Sequence, residues 1–285
     1  MDPRSRPYRS VLYIPGSKPR ALDKARGLPV DAIIFDLEDA VSADEKDNAR
    51  DTLKAALAEG GYDPRVKIVR INGLDTKWGA DDARAVCDMD VDVVLLPKVG
   101  SAADVDALAT ITGDLPVWAM METPRGMLNA AEIAAHPLLT GMVMGTNDLA
   151  KELQTRYRPD RLPMMAGLGL CLLAAKAEGL VIVDGVYNAF KDDEGLAAEC
   201  AQGRDMGFDG KTLIHPAQVE VTNAAFAPSE AEVDLARRQI AAFEEVEASG
   251  QGVAVVDGKI VENLHVVTAR EILAKAEAIE ALQAG

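Results

Sequence analysis

Along the chain, short unbroken apolar runs alternate with stretches in which apolar residues recur every three or four positions. The runs are "SVLYIP" (10–15), "AIIFDL" (32–37), "VKIVRIN" (66–72), "VDVVLLPKV" (91–99), "PVWAMMET" (116–123), "GMVMGTN" (141–147), "LVIVDGV" (180–186) and "GKTLIHP" (210–216). Each is followed by a helix-period stretch, such as "DEKDNARDTLKAALAEG" after the second and "EGLAAECAQGRDMG" after the seventh. Continuous rather than alternating apolar strands are those buried on both faces. Eight strand–helix units in about 220 residues predict an α/β fold, a (β/α)₈ TIM barrel. The competing arrangement is an open doubly wound sheet, but no glycine-rich dinucleotide fingerprint follows the first strand.

The pattern changes near Pro228. Residues 229–248 read as an amphipathic helix opening on "SEAE", with Ser229 as N-cap and Glu232 at the capping-box position. "GQGVAVVDGKIVE" (250–262) reads as a hairpin turning at Asp257-Gly258. A last helix is expected from His265 to Leu282, with Ile272, Ala276, Ile279 and Leu282 on one face. Two domains are therefore expected: a catalytic barrel over 1–228 and a helix–hairpin–helix extension over 229–285. The extension is too small for an independent core, so it must pack on its own barrel or on a neighbour, and a neighbouring subunit is the expected partner.

Composition adds mainly exclusions. A net charge of −16 argues against nucleic acid, which needs a basic footprint. The apolar stretches are too short for a membrane span, and the start has no apolar signal-peptide core. Cys87, Cys171 and Cys200 show no metal or redox spacing and read as free, buried thiols of a reducing cytoplasm. Charge is uneven, however. Residues 1–26 hold seven cations and two anions, an expected basic patch for an anionic ligand near Lys18 and Lys24, with Arg4 and Arg6 reading equally well as a solvated tail.

In a TIM barrel the site lies at the C-terminal ends of the strands. There the chain places Asp36, Glu38 and Asp39, then Arg70, Lys98, Glu122, Asp148, Asp184 and His215. So many carboxylates at one mouth repel one another unless a cation neutralises them. Two carboxylates completed by water and substrate oxygens suit Mg²⁺, with Mn²⁺ as the alternative, whereas softer metals want His or Cys clusters. Glu122 and Asp148 are the expected ligands; the alternative for each is a helix N-terminal acid. Arg70 suits a bidentate carboxylate clamp, or a structural pair with Asp36 or Glu38.

Taken together, "SVLYIPGSKPRALDKA", "AIIFDLEDAV", "VRINGLDT", "VLLPKV", "METPRGMLNAAEIA", "MGTNDLAKEL" and "TLIHPAQVE" resemble the citrate lyase β-subunit-like (CitE-like) branch of the HpcH/HpaI aldolases. The resemblance implies a TIM barrel, Mg²⁺ and a CoA thioester of a small hydroxy acid. It implies Glu122 and Asp148 as metal ligands and Arg70 as the holder of the substrate's free carboxylate. It also implies Tyr13, Lys18 and Lys24 as CoA contacts, Asn147 and Thr146 as polar contacts beside the metal, and Asp36, Glu38 and Asp39 as an acidic shell around Arg70. Lyases of this family carry an Asp in the C-terminal tail that reaches an adjacent subunit; here "DGKIVENLHVV" (257–267) has Glu262 instead. This tail resembles that of the family's (3S)-malyl-CoA thioesterases. The expected activity is Mg-dependent hydrolysis of (3S)-malyl-CoA, or a close β-hydroxyacyl-CoA, to malate and CoA, with Glu262 as base. The alternatives are a malyl-CoA or citramalyl-CoA lyase yielding acetyl-CoA with glyoxylate or pyruvate, and a citrate-lyase-type subunit acting on an acyl carrier protein. A homo-oligomer, trimer or hexamer, is implied.

Overall fold

The computed structural model describes residues 6–249 and 253–284. Residues 8–226 form one compact unit; the segment from residue 227 belongs to a second. Arg4 lies outside the described residues, as do residues 250–252 of the expected hairpin.

Eight parallel strands close on themselves in chain order: β1 (Ser10–Pro15), β2 (Ala32–Asp36), β3 (Val66–Arg70), β4 (Val93–Leu96), β5 (Val117–Met121), β6 (Leu139–Met144), β7 (Val181–Asp184) and β8 (Gly210–Leu213), with β8 pairing back to β1. The intervening helices are α1 (Pro19–Ala25), α2 (Lys46–Glu59), α3 (Gly79–Val86), α4 (Ala102–Thr112), α5 (Pro124–Leu128), α6 (Ala130–Ala134), α7 (Thr146–Glu152), α8 (Met165–Ala177), α9 (Asp193–Met206) and α10 (Val219–Phe226). This is the TIM barrel that the apolar runs predict.

Side chains alternate across each strand. Val11, Ile34, Ile68, Leu95, Trp118, Met120, Val143 and Val183 form one buried cluster, which fills the barrel. Their neighbours Leu12, Ile33, Phe35, Val69, Val94, Ala119 and Ile182 pack in a second cluster that includes helix residues such as Leu53, Leu108 and Leu168. The same alternation carries Tyr13, Asp36, Arg70 and Glu122 on the inward parity. It carries Asp184 on the outward one.

Several strands end earlier than their apolar runs suggest. β4 stops at Leu96, because Pro97 has no N–H to donate and Lys98 turns into the left-handed region at φ 54°. β5 stops before Glu122, and α5 starts at Pro124, where Thr123 Oγ1 accepts the Gly126 N–H at 3.0 Å.

Three cations of the expected basic patch are paired within the fold. Buried Arg9 pairs with Asp31 at 2.7 Å, Arg26 with Asp23 and Glu59 at 2.8 Å, and Lys18 with Glu45 at 3.1 Å. The cysteine expectation holds for Cys171 and Cys200 but not for Cys87, which is exposed. It sits at the C-cap of α3, where a side chain is no longer sandwiched against the barrel.

The second unit contains α11 (Glu230–Ser249), a hairpin of β9 (Ala254–Val256) and β10 (Lys259–Val261), and α12 (Asn263–Ala284). Glu232 accepts the Ser229 N–H at 2.7 Å and Ser229 Oγ accepts the Glu232 N–H at 3.2 Å, completing the capping box. The hairpin turns at Asp257 (φ 51°) and Gly258 (φ 75°), the positive-φ pair that a two-residue primed turn requires.

Candidate active site

The C-terminal mouth of the barrel holds a cavity of about 310 Å³, lined by Tyr13, Asp36, Asp39, Arg70, Glu122, Thr146, Asn147 and Asp148, with Ala40, Met120, Met144, Gly145, Val186 and Ile214. Strand ends from β1, β2, β3 and β5 supply the first acids, the arginine and the tyrosine. α7 supplies Thr146, Asn147 and Asp148 in its first turn.

Arg70 stands beside Asp36 in the β2–β3 register. Its Nε and Nη2 donate to the two Asp36 oxygens at 2.7 and 2.6 Å. Asp36 also accepts the Glu38 and Ala40 N–H groups at 2.9 and 3.0 Å, so it fixes both the guanidinium and the β2–α2 loop. Arg70 Nη1 lies 2.8 Å from Glu38 and 3.5 Å from Asp39. The structural pairing of Arg70 is therefore observed: Asp36 takes Nε and Nη2, while Nη1 faces Glu38, Asp39 and Met120 Sδ. The guanidinium also stacks 5.0 Å over the Tyr13 ring. Burial raises the Tyr13 phenol well above its ordinary range, so its hydroxyl stays protonated, donating to Met120 Sδ at 4.0 Å within the cavity lining.

Glu122 is 2% exposed. One oxygen accepts the Lys98 N–H at 2.8 Å. The other occupies space that exists because residue 145 is glycine: a Cβ there would collide with Glu122 Cβ and lie 2.6 Å from Oε2. Burial first, and then the Glu38 charge, push the Glu122 carboxyl up to about 8; the Lys98 N–H and Arg70 oppose this, and Asp148 adds to it. Gly145→Ala is expected to displace this carboxylate and lower kcat/KM by about 10²-fold, with the barrel still folded by circular dichroism.

These residues fit a hard divalent cation. Glu122 and Asp148 both line the cavity, and burial and the Glu38 charge raise the Glu122 carboxyl, so a cation there would relieve it. Such a site needs water or substrate oxygens to complete it, which is the habit of Mg²⁺. Asp148 is also an acid in the first turn of α7, so its helix-terminal role coexists with the cavity role.

Other expected residues lie elsewhere. Lys18 and Lys24 are exposed near α1 and do not line the cavity. Asp184 is fully buried on the outer face of β7, bonded to Arg161 at 2.6–2.7 Å and to Lys211 at 3.2 Å. His215 is exposed, stacked 4.6 Å from Phe190, and its Nδ1 accepts the Ala217 N–H. The sequence reading missed Met120, Met144, Val186 and Ile214, the apolar part of the lining; Met120 was findable from its parity with Glu122. It also missed the reciprocal amide bonds between Asn147 and Asn188 at 3.2 and 2.8 Å.

A closed parallel barrel with acids and a buried arginine around a small mouth cavity defines an enzyme of the TIM-barrel class. Residues 9–216 match the family model of HpcH/HpaI aldolase/citrate lyase, and residues 163–279 match that of a C-C bond lyase of the TIM-barrel fold. The chain belongs to the HpcH/HpaI aldolase/citrate lyase family. It is 70% identical over 284 residues to a (3S)-malyl-CoA thioesterase of Cereibacter sphaeroides, covering 100% of both chains. It is 35% identical to the citrate lyase subunit beta of Escherichia coli, over 96% of this chain and 95% of that one. Among solved structures, protein CitE of Mycobacterium tuberculosis in complex with magnesium, acetoacetate and coenzyme A superposes with a TM-score of 0.80 at 32% identity, over 96% of this chain and 99% of that one.

Proposed function

We propose that this protein is a thioesterase that hydrolyses (3S)-malyl-CoA, or a close β-hydroxyacyl-CoA, to malate and CoA. The full-length likeness to the (3S)-malyl-CoA thioesterase carries this reading, and the cavity chemistry supports it. Glu122 and Asp148 would hold Mg²⁺, as the CitE complex holds magnesium; the bound ion supplies Lewis-acid polarisation of acyl oxygens. Arg70, oriented by Asp36, receives the substrate's free carboxylate on Nη1. The Tyr13 hydroxyl donates to a substrate oxygen inside the mouth, and Thr146 and Asn147 add polar contacts. Lys18 and Lys24 meet the CoA phosphates, Lys18 exchanging its exposed Glu45 partner for them.

Hydrolysis also needs a base. We assign it to Glu262 of a neighbouring copy. Glu262 is exposed just before α12, and its N–H donates to His265 Nδ1 at 3.0 Å. Around it, Val255, Ile260, Leu264 and Val267 are exposed, an apolar surface suited to a subunit contact. The carboxylate takes a proton from water, the oxygen attacks the thioester carbonyl, the C–S bond breaks and the CoA thiolate takes up the proton. Glu262→Gln is expected to lower kcat by about 10²- to 10⁴-fold while Mg²⁺ affinity, measured by calorimetry, stays at the wild-type value. A homo-oligomer follows from the shared site, a trimer or hexamer by the family resemblance, and a fully active monomer by light scattering contradicts it. No helix among the described residues is long and apolar enough to cross a membrane, and a cytoplasmic location belongs to the same reading.

The match to a C-C bond lyase model favours a second reading, cleavage of malyl-CoA to glyoxylate and acetyl-CoA. Incubating the purified protein with (3S)-malyl-CoA and Mg²⁺ separates the two. Thiol release with stoichiometric malate supports hydrolysis; trapped glyoxylate with acetyl-CoA supports the lyase. Turnover only on an acyl-carrier-protein thioester points to the citrate lyase type of subunit.

A further inference from the structure

Lys98 has no place in the chemistry above, yet it touches both halves of the site. It lies two residues past β4 with φ 54°, a left-handed conformation that penalises every residue with a Cβ and suits glycine. That backbone turn lets one residue face two ways. Its N–H donates to Glu122 Oε1 at 2.8 Å, and its ammonium lies 3.4 Å from Glu38 Oε1.

Glu38 is held unusually loosely for a buried carboxylate. It is 8% exposed. Its Oε2 lies 2.8 Å from Arg70 Nη1, but the pair is not aligned as a hydrogen bond and Oε2 accepts none. Buried charges tolerate such geometry poorly. Arg70 meanwhile commits Nε and Nη2 to Asp36. A ligand carboxylate reaching Arg70 must therefore arrive at Nη1, where Glu38 sits. Displaced, Glu38 needs another cation. The Lys98 side chain is close and 52% exposed, so it has room to follow.

We propose that Lys98 is a positioning residue that couples the two halves of the site: its main-chain N–H fixes the Glu122 carboxylate, and its ammonium takes over Glu38 when a substrate carboxylate displaces Glu38 from Arg70. This role rests on the reading above, in which Arg70 receives a free carboxylate. The left-handed backbone is kept at a residue with a side chain because the ammonium is needed there.

Lys98→Gly tests this cleanly. Glycine adopts the same backbone without penalty and keeps the N–H to Glu122; only the side chain is lost. The melting temperature should equal or exceed wild type, and Mg²⁺ affinity of the free protein, by calorimetry, should be unchanged or tighter. KM for malyl-CoA should rise by about 10-fold or more with a smaller change in kcat, and Lys98→Arg should recover most of the loss. An unchanged KM, a lowered melting temperature in Lys98→Gly, or no recovery in Lys98→Arg overturns the role. Calorimetric binding of malate to the Mg²⁺-loaded protein separates this from the functional reading. If wild type releases no thiol from malyl-CoA, the thioesterase reading falls. A tenfold weaker malate affinity in Lys98→Gly then still supports the role of Lys98, and an equal affinity refutes it.

Discussion

Glu122→Gln is expected to reduce kcat/KM by about 10³-fold or more, since it removes a charged ligand from a site whose chemistry depends on cation-assisted polarisation. Glutamine keeps the shape and the acceptor for the Lys98 N–H, so the loss is not one of folding. Stability moves the other way. The Glu122 carboxyl, ordinarily at 4.5, is raised to about 8 by burial and then by Glu38. Below about pH 4.5 folded and unfolded chains both hold the proton. As pH rises from there to about 8 the unfolded chain gives it up while the folded chain retains it, so folded-state stability is lost across that window. Above it the wild type carries a penalty on the order of a few kcal/mol. Urea denaturation without divalent ions should therefore show Glu122→Gln more stable than wild type near pH 8.5, with a flatter pH profile. Adding Mg²⁺ should reverse the ranking, because only the wild type binds it tightly.

The second large effect lies outside the cavity. Asp184→Asn is expected to destabilise the fold by about 3–5 kcal/mol, a large share of the stability of an ordinary domain. Asp184 and Lys211 are fully buried, Arg161 nearly so, and Asp184 hydrogen-bonds both cations; Glu199 lies 2.6 Å from Lys211 and 3.9 Å from Arg161, and Gln202 reaches Arg161 at 2.7 Å. Arg161 Nη2 already has no acceptor, so the network has none to spare. Burial pushes the Asp184 carboxyl up, but Lys211 and Arg161 outweigh it and hold the group below its ordinary 3.8. Its contribution is thus complete above that value and is lost as pH falls through the folded-state value. Chemical denaturation at pH 7 measures the loss. Turnover of the folded fraction should stay near wild type, since Asp184 does not line the cavity.

Asp184 also marks where sequence reasoning stops. The eight units and the acids at their ends were legible because each apolar run is long enough to identify a strand buried on both faces. That same continuity hides which face each residue takes. In "LVIVDGV" nothing distinguishes inward from outward, whereas the structure points Val181 and Val183 in and Asp184 out. Arg70 and Glu122 have the inward parity, and they line the cavity. The family resemblance supplied roles that spacing alone left open, including the choice between clamp and structural pair for Arg70. The structure adds that Asp36 already fills two of its donors. Lys98 was legible as a strand-end cation, but its two-way contact was not, because a left-handed backbone is legible in sequence at glycine, not at lysine. The self-pairing of Arg9, Lys18 and Arg26 escaped for a different reason. Their partners Asp31, Glu45 and Glu59 come from the next unit and meet them only once β2 and α2 pack beside β1 and α1.

Crystals of the protein soaked in Mn²⁺ and measured at the manganese absorption edge give the most direct answer on the cation. The expected result is one strong anomalous peak at the barrel mouth, about 2.0–2.2 Å from carboxylate oxygens of both Glu122 and Asp148, absent in Glu122→Gln. A mouth without a peak in the wild type, or a peak bound to other residues, contradicts the site and the hydrolysis built on it.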